Sequence, residues 1–279
     1  MFIWLASYPK SGNTMLRSML VSYLFSNNGI FDFDLIKNIK QFPTTDLFEQ
    51  NGINIHDERE VIKNYLKVQA SINQKNSIQF LKTHSYLFNI ENNPFTNLDH
   101  TLGVIYIVRD PRSIVISSSN HNNCPHKETT DQIIQGAPIK GDSKSAVFIY
   151  PGTWGGNYNS WKSFKSIQKY LLVKYEDLIL DKEKYFVNIL KFIHNLKKVD
   201  FVLDKKKLQN SLDSTNFNKL QDLEKKKGFE ESPIDKTSGK KIKFFYLGPK
   251  NDWSKMLDKS LSSRIEKAFQ NEMMELGYI

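Results

Sequence analysis

The chain has 279 residues, 39% of them hydrophobic, and a formal net charge of +9 at pH 7. That length and apolar content suffice for a buried core and exclude a fibre or a disordered chain. No apolar run approaches the roughly 18 residues that a membrane span needs, and the one cysteine, Cys124, can form no internal disulfide, which fits a reducing cytoplasm.

In chain order, Phe2-Ile3-Trp4-Leu5-Ala6 is continuously apolar and predicts a parallel-sheet strand buried on both faces. A polar turn, Ser7 to Thr14, follows. Met15, Leu16, Met19, Leu20, Tyr23 and Leu24 then recur at helical spacing until Asn27-Asn28-Gly29 ends the pattern. Ile78 to Leu81 predicts a second strand, running into Lys82-Thr83-His84. Val104 to Val108 predicts a third, ending at Arg109-Asp110-Pro111, with a helix from Arg112 because proline suits a first helical turn. The stretch from Asn120 to Ile149 is polar and turn-rich and predicts an irregular loop. Leu171 to Tyr175 predicts another strand, with a helix over Lys182 to His194. Strands alternating with helices predict an α/β protein, with a mainly parallel central sheet flanked by helices in three layers. With no linker or internal repeat, a single domain over 1–279 is expected, with a loop or lid at 120–151.

The excess of lysine favours anionic partners without choosing among nucleic acid, acidic lipid, acidic polysaccharide and phosphorylated small molecules. Lys205-Lys206-Lys207, Lys225-Lys226-Lys227 and Lys240-Lys241 read as solvated faces. The turn after the first strand is more specific. Backbone N–H groups at a helix N-terminus lack intrahelical partners, and the helix dipole makes that end positive, so an anion can dock there. Gly12 lets the backbone approach a ligand, Ser11, Asn13 and Thr14 add donors, and Lys10 adds a charge. The plainer reading is a capped turn with Ser11 or Asn13 as N-cap. A nucleotide P-loop carries its lysine after the second glycine of G-x-x-x-x-G-K-[ST], whereas here Lys10 precedes the only glycine, which argues against an ordinary ATP or GTP site. Arg109, at the C-terminal edge of a strong strand, is placed where α/β proteins bind ligands, and its planar fork suits a phosphate. Its plainer reading is a pair with Asp110 or a helix cap.

Tyr8-Pro9-Lys10-Ser11-Gly12-Asn13-Thr14-Met15 resembles the Y-P-K-[ST]-G-T-[ST]-W loop of the sulfotransferases that use 3′-phosphoadenylyl sulfate (PAPS), with Asn13 in place of threonine and Met15 in place of tryptophan. Arg109 to Ser117 is similar to the R-[ND]-P-x-[DS]-x-x-x-S motif of that family. The resemblance implies a P-loop-like fold, with residues 10–15 on the donor's 5′-phosphosulfate and Arg109 and Ser117 on its 3′-phosphate. Tyr175-Glu176-Asp177-Leu178 resembles the family's Y-E-D-[LM], which places Tyr175 near the nucleotide. Thr215-Asn216-Phe217 resembles T-S-F, whose ring shelves the adenine. Gly152-Thr153-Trp154 with Trp161 resembles G-[ST]-W…W, near the acceptor pocket; read alone, it is an apolar anchor in a loop. The C-terminal R-K-G-x-x-G-D-W is matched only by Gly248 and Asp252-Trp253, so the basic pair is absent; Lys240, Lys241 and Lys243 are the nearby substitutes. The family's dimer motif is also absent, which leaves the oligomeric state open.

Sulfonyl transfer to a hydroxyl or amine needs a base for the acceptor proton and positive charge at the leaving oxygen. Lys82-Thr83-His84 resembles the family's K-T-H stretch, which implies His84 as general base, with Lys82 and Lys10 stabilising the transferring group; the plainer reading of His84 is a strand-end histidine with a satisfied hydrogen bond. Transfer would be direct and in line, releasing adenosine 3′,5′-bisphosphate (PAP), and no metal is expected, since His121 and His126 lack a convincing ligand set. The acceptor, a small molecule, lipid or carbohydrate, is expected between Asp32–Lys75 and Asn120–Pro151, whose aromatics include Phe42, Phe48, Phe148 and Tyr150. Two other readings are a P-loop phosphotransferase of nucleosides or sugars, which would need a lysine after the glycine and a magnesium-binding carboxylate, and a non-catalytic nucleotide- or RNA-binding protein, which no nucleic-acid motif supports.

Overall fold

Strand β1, Phe2–Ala6, is buried at every position, as a strand covered on both faces must be. The computed structural model describes residues 1–73, 77–140, 147–235 and 238–279. The strands that follow are β2 (Lys40–Gln41), β3 (Gln79–Thr83), β4 (Asn89–Ile90), β5 (Asn93–Pro94), β6 (Thr101–Val108), β7 (Ile139–Lys140), β8 (Phe148–Ile149) and β9 (Tyr170–Lys174). The helices that carry the argument are α1 (Asn13–Phe25), α2 (Thr45–Glu49), α3 (Glu58–Lys63), α4 (Tyr65–Ile72), α5 (Pro111–Asn122), α6 (His126–Gln135), α7 (Trp154–Lys162), α8 (Tyr175–Leu180), α9 (Lys182–Lys197), α10 (Lys205–Ser214) and α11 (Phe217–Lys227).

The central sheet runs β2-β3-β1-β6-β9 and every pairing in it is parallel. Because side chains alternate along a strand, the sheet divides the core in two. Phe2, Trp4 and Ala6 join Val104, Tyr106 and Val108 on one face, with Trp154 and Trp161 of α7. Ile3 and Leu5 join Ile105 and Ile107 on the other, under α1 and α9. The expected α/β architecture is therefore the observed one.

The chain leaves β1 to pair with β3 on one side and β6 on the other, so loops diverge at their C-terminal ends and open a crevice. The loops after β1, β3 and β6 carry Lys10, His84 and Arg109, and Tyr175 follows β9 directly. Four expectations change. The edge strand β2 has only two residues, too few for periodicity to reveal. β6 begins at Thr101, three residues before the apolar run that announced it. β9 ends at Lys174, so Tyr175 opens α8 instead of closing the strand. The stretch Asn120–Ile149 is not simply irregular: it holds the end of α5, the whole of α6 and the β7/β8 antiparallel pair. Helix α6 is polar in composition but buries Thr129, Thr130 and Ile133 on one side, a stripe too weak in hydrophobicity to stand out in sequence. Residues 141–146 of the expected loop, and Lys75 at the end of the other acceptor segment, lie outside the described residues.

Candidate active site

A cavity of about 330 Å³ opens at the crevice. Among the site residues expected from sequence, Lys10, Gly12, Asn13, Thr14, Met15, Lys82, His84, Arg109, Ser117, Tyr175, Phe217 and Gly248 line it. Ser11 and Thr215 do not. Ser11 is buried behind the turn, and Thr215 is spent on helix packing, donating from Oγ1 to Ser211 O at 2.6 Å while its carbonyl accepts from Lys182.

The turn itself is uncapped. Gly12 occupies the N-cap position of α1 at φ 99°, and neither Ser11 nor Asn13 caps the helix. Asn13 reaches backwards instead, donating to Leu5 O at 3.0 Å and Ser7 Oγ at 3.1 Å, which ties the turn to the end of β1. The first N–H groups of α1 are thus left for a ligand. Glycine is required at position 12 twice over: φ lies in the left-handed region, and a Cβ there would sit 2.4 Å from the Tyr175 ring. Lys10 adopts φ 64°, a strained value for a side-chain-bearing residue, and its carbonyl accepts from Arg109 Nη1 at 3.3 Å.

Three cations converge here. Arg109 lies over the Tyr175 ring at 4.2 Å, with its Nε buried and unpartnered. Its neighbour Asp110 does not pair with it; Asp110 caps α5 and binds Arg112 at 2.7 Å. Burial first, then Lys82 and Arg109, push the Lys10 ammonium down to about 7, with Glu231 and Glu224 opposing. Burial also pushes Lys82 down to about 8. A cluster of cations that resist their own charge is a site built for an anion.

His84 stands just beyond β3. Its Nδ1 lies 2.9 Å from Ser7 O and 3.2 Å from Ser7 Oγ. A carbonyl only accepts, so Nδ1 carries the proton and Nε2 keeps a free lone pair. The backbone is fixed as well: Tyr106 Oη donates to Asn157, and Asn157 donates to His84 O at 3.0 Å. Burial, then Lys82, drives the imidazole down to about 3, so it is neutral across the physiological range.

Glu231, which sequence reading passed over, also lines the cavity. It pairs with Arg17, lies 3.8 Å from Lys82 and accepts from Thr14 Oγ1 at 3.5 Å. Against the burial that would raise it, Lys82 and Arg17 hold its carboxyl down to about 2. Its only sequence signal was an acidic residue after a lysine run. At the far end, Gly248 lies against Phe217; a Cβ there would come within 2.3 Å of that ring. Lys240, Lys241 and Lys243 are exposed, and none of them lines the cavity.

The acceptor expectations shift too. Phe42 and Phe48 are fully buried core residues. Phe148 and Tyr150 line a separate cavity of about 90 Å³. The expected acceptor segments contribute Gln41, His121, Asn122, Ile139 and Ile149 to the main cavity. Trp154 and Trp161 sit in helix α7, not a loop, and both are fully buried; Trp154 donates to Arg109 O at 3.1 Å and Trp161 to Ser85 O at 2.9 Å, bracing two site loops from below.

A parallel α/β sheet with an uncapped helix N-terminus, clustered cations and a neutral imidazole at one crevice is the setting of a group-transfer enzyme. Residues 2–277 match the sulfotransferase domain, and the chain belongs to that family, whose members move a sulfonyl group from PAPS to an acceptor. It is 22% identical to flavonol 3-sulfotransferase of Flaveria bidentis, over 99% of this chain and 83% of that protein. Among solved structures it is similar to mouse sulfotransferase SULT7A1 complexed with PAP, at a TM-score of 0.57 and 18% identity over 98% of this chain and 84% of that one. It is also similar to retinol dehydratase in a complex with retinol and PAP, at a TM-score of 0.62 and 18% identity over 98% of this chain and 81% of that one.

Proposed function

We propose that this sulfotransferase binds PAPS along the cavity and transfers its sulfonyl group directly, in line, to a hydroxyl or amine of a small-molecule, lipid or carbohydrate acceptor. The observation that carries this reading is the placement of His84, neutral with a free Nε2, beside Lys82 in a cavity whose other wall is the uncapped turn 10–15. In this reading the α1 N–H groups, Lys10 and Thr14 hold the 5′-phosphosulfate. Arg109 and Ser117 take the 3′-phosphate, and the Phe217 ring, with Tyr175 nearby, takes the adenine. His84 Nε2 accepts the acceptor proton, while Lys10 and Lys82 stabilise charge growing on the bridging oxygen. PAPS brings the activated sulfonyl group, so no covalent link to the protein is required.

The chain is read as one domain, with 120–151 as the acceptor-side wall and lid, working in the cytoplasm. Among the described residues no helix is long and apolar enough to cross a membrane.

The test is a thermal melt with PAP, AMP and metal-free ATP, followed by assays with PAPS and a panel of alcohols, phenols and amines. A large shift with PAP and a small one with AMP is expected. Equal shifts with AMP and PAP would remove the 3′-phosphate site, and a preference for ATP with magnesium would favour phosphoryl transfer instead.

A further inference from the structure

His121 lies in the last turn of α5, one helical turn beyond Ser117, and both line the cavity. Its Nδ1 is 3.2 Å from Lys10 Nζ. The ring meets Phe244 in a T-shaped contact, with centroids 5.7 Å apart and planes at 85°, and the Lys10 ammonium lies over the same Phe244 ring at 4.2 Å. So the Lys10 side chain is held from two sides. Its backbone is pinned as well, by the left-handed φ and the Arg109 hydrogen bond. No other hydrogen bond to the Lys10 ammonium is present among the described residues. An ammonium offers only donors, so Nδ1 is the acceptor and Nε2 carries the ring proton.

We propose that His121 is the positioning residue of Lys10: its unprotonated Nδ1 accepts from the ammonium and, with Phe244 behind, aims it across the cavity at the transferring group. The proposal rests on the reading of Lys10 as the donor-binding lysine. It explains why a histidine is kept neutral in a site that already has its base: burial first, then Lys10 and Lys82, hold His121 down to about 3, with Glu231 opposing. The groups facing Lys10 are Lys82, Arg109, Glu231 and Glu224. A long, flexible side chain loses rotamer freedom when held, and that loss is taken before the donor arrives.

Two variants separate positioning from packing. His121→Asn places an amide oxygen near the Nδ1 position; His121→Leu fills the space without an acceptor. With PAPS and 2-naphthol as acceptor probe, His121→Leu is expected to lower kcat roughly tenfold or more, the scale on which misplaced groups act, with KM for PAPS changed by less than about threefold. His121→Asn should recover most of the loss. Equal losses in both variants, or wild-type kcat in His121→Leu, would overturn the proposal. A second arm needs no acceptor: ¹⁵N NMR of the imidazole at pH 6, where Lys10, held near 7, is mostly an ammonium and His121, held near 3, is still neutral. The Nε2–H tautomer is expected in the wild type, with its titration moving upward in Lys10→Met. An Nδ1–H tautomer, or a titration unmoved by Lys10→Met, would also overturn it. The PAP melting shift of the wild type reports separately on the sulfotransferase reading, so the two can fail independently.

Discussion

At the level of single side chains, His84 is the residue whose geometry makes the narrowest claim. Its Nδ1 proton is committed to Ser7 O, so only Nε2 can act as base. His84→Gln should lower kcat by about 10²- to 10⁴-fold while leaving the PAP melting shift unchanged; measurable turnover near wild type would sink the assignment. Gly12→Ala tests the turn. The added Cβ meets the Tyr175 ring at a φ that favours glycine, so a lower Tm and a weakened PAP shift are expected together. Much at this scale was legible from the chain, because Lys10, His84 and Arg109 follow apolar strands that end in one crevice and Lys82 lies at the end of one of them. Thr215 was not separable from its neighbours, because a hydroxyl in a binding motif and a hydroxyl satisfying a helix carbonyl look the same in sequence; nor does sequence tell that the Ser11 hydroxyl is buried away from the cavity. Glu231 was invisible because its partners, Arg17 and Lys82, lie far from it along the chain.

Glu231 belongs to the segment after α11, and there the test concerns how that segment docks. Glu224 accepts from Phe244 N at 2.6 Å and Phe245 N at 3.0 Å, and Ser232 Oγ donates to it at 2.8 Å, folding the segment back onto α11. Its carboxylate neighbour Glu231 then closes on α1 through Arg17. Glu231→Gln leaves the buried Arg17 guanidinium without its counter-charge; because the Glu231 side chain is 31% exposed, the expected loss falls short of the roughly 3–5 kcal/mol of fully buried pairs. A lower Tm is expected, together with a larger PAP-induced shift than in the wild type, since the ligand's phosphates then meet less opposing charge. A smaller shift would mean that Glu231 helps the nucleotide bind. Elements with strong periodicity, α1 and α9, were readable. Helix α6 and strand β2 were not, since one is polar with a narrow buried stripe and the other is fixed only by its pairing to β3.

For the molecule as a whole, the continuously apolar run of β1 already implied two core layers, because successive residues point to opposite faces and each face had to be covered. A ligand at about 100 times its dissociation constant should stabilise the fold by roughly 2.7 kcal/mol, read as a PAP-dependent Tm. Acid should have the opposite effect. His84 and His121 are held near 3, well below the ordinary 6.5, so the unfolded chain takes up their protons first. The contribution of these two rings is then full above about pH 6.5 and declines as pH falls toward 3, by up to about 1.4 kcal/mol per unit for each ring, while Lys10 and Lys82, lowered from 10.5 in the fold, add a further gain above neutrality. Glu231 adds a further decline between its ordinary 4.5 and about 2. Urea melts from pH 8 to 4 check this; a flat profile would mean that the rings are not buried as neutral groups.

The crowding of Lys10 against Lys82 and Arg109 carries a calorimetric consequence. With its ammonium at about 7, Lys10 is only half protonated near neutrality, and Lys82, at about 8, is not fully so. A nucleotide's phosphates restore the ordinary preference of both amines for their protons, so each binding event draws hydrogen ions from the medium. Titration heats for PAP at pH 8 should therefore differ between phosphate and Tris buffers in proportion to the buffers' ionisation enthalpies. Affinity should climb as the solution is acidified from pH 9 to 7 and level off below that.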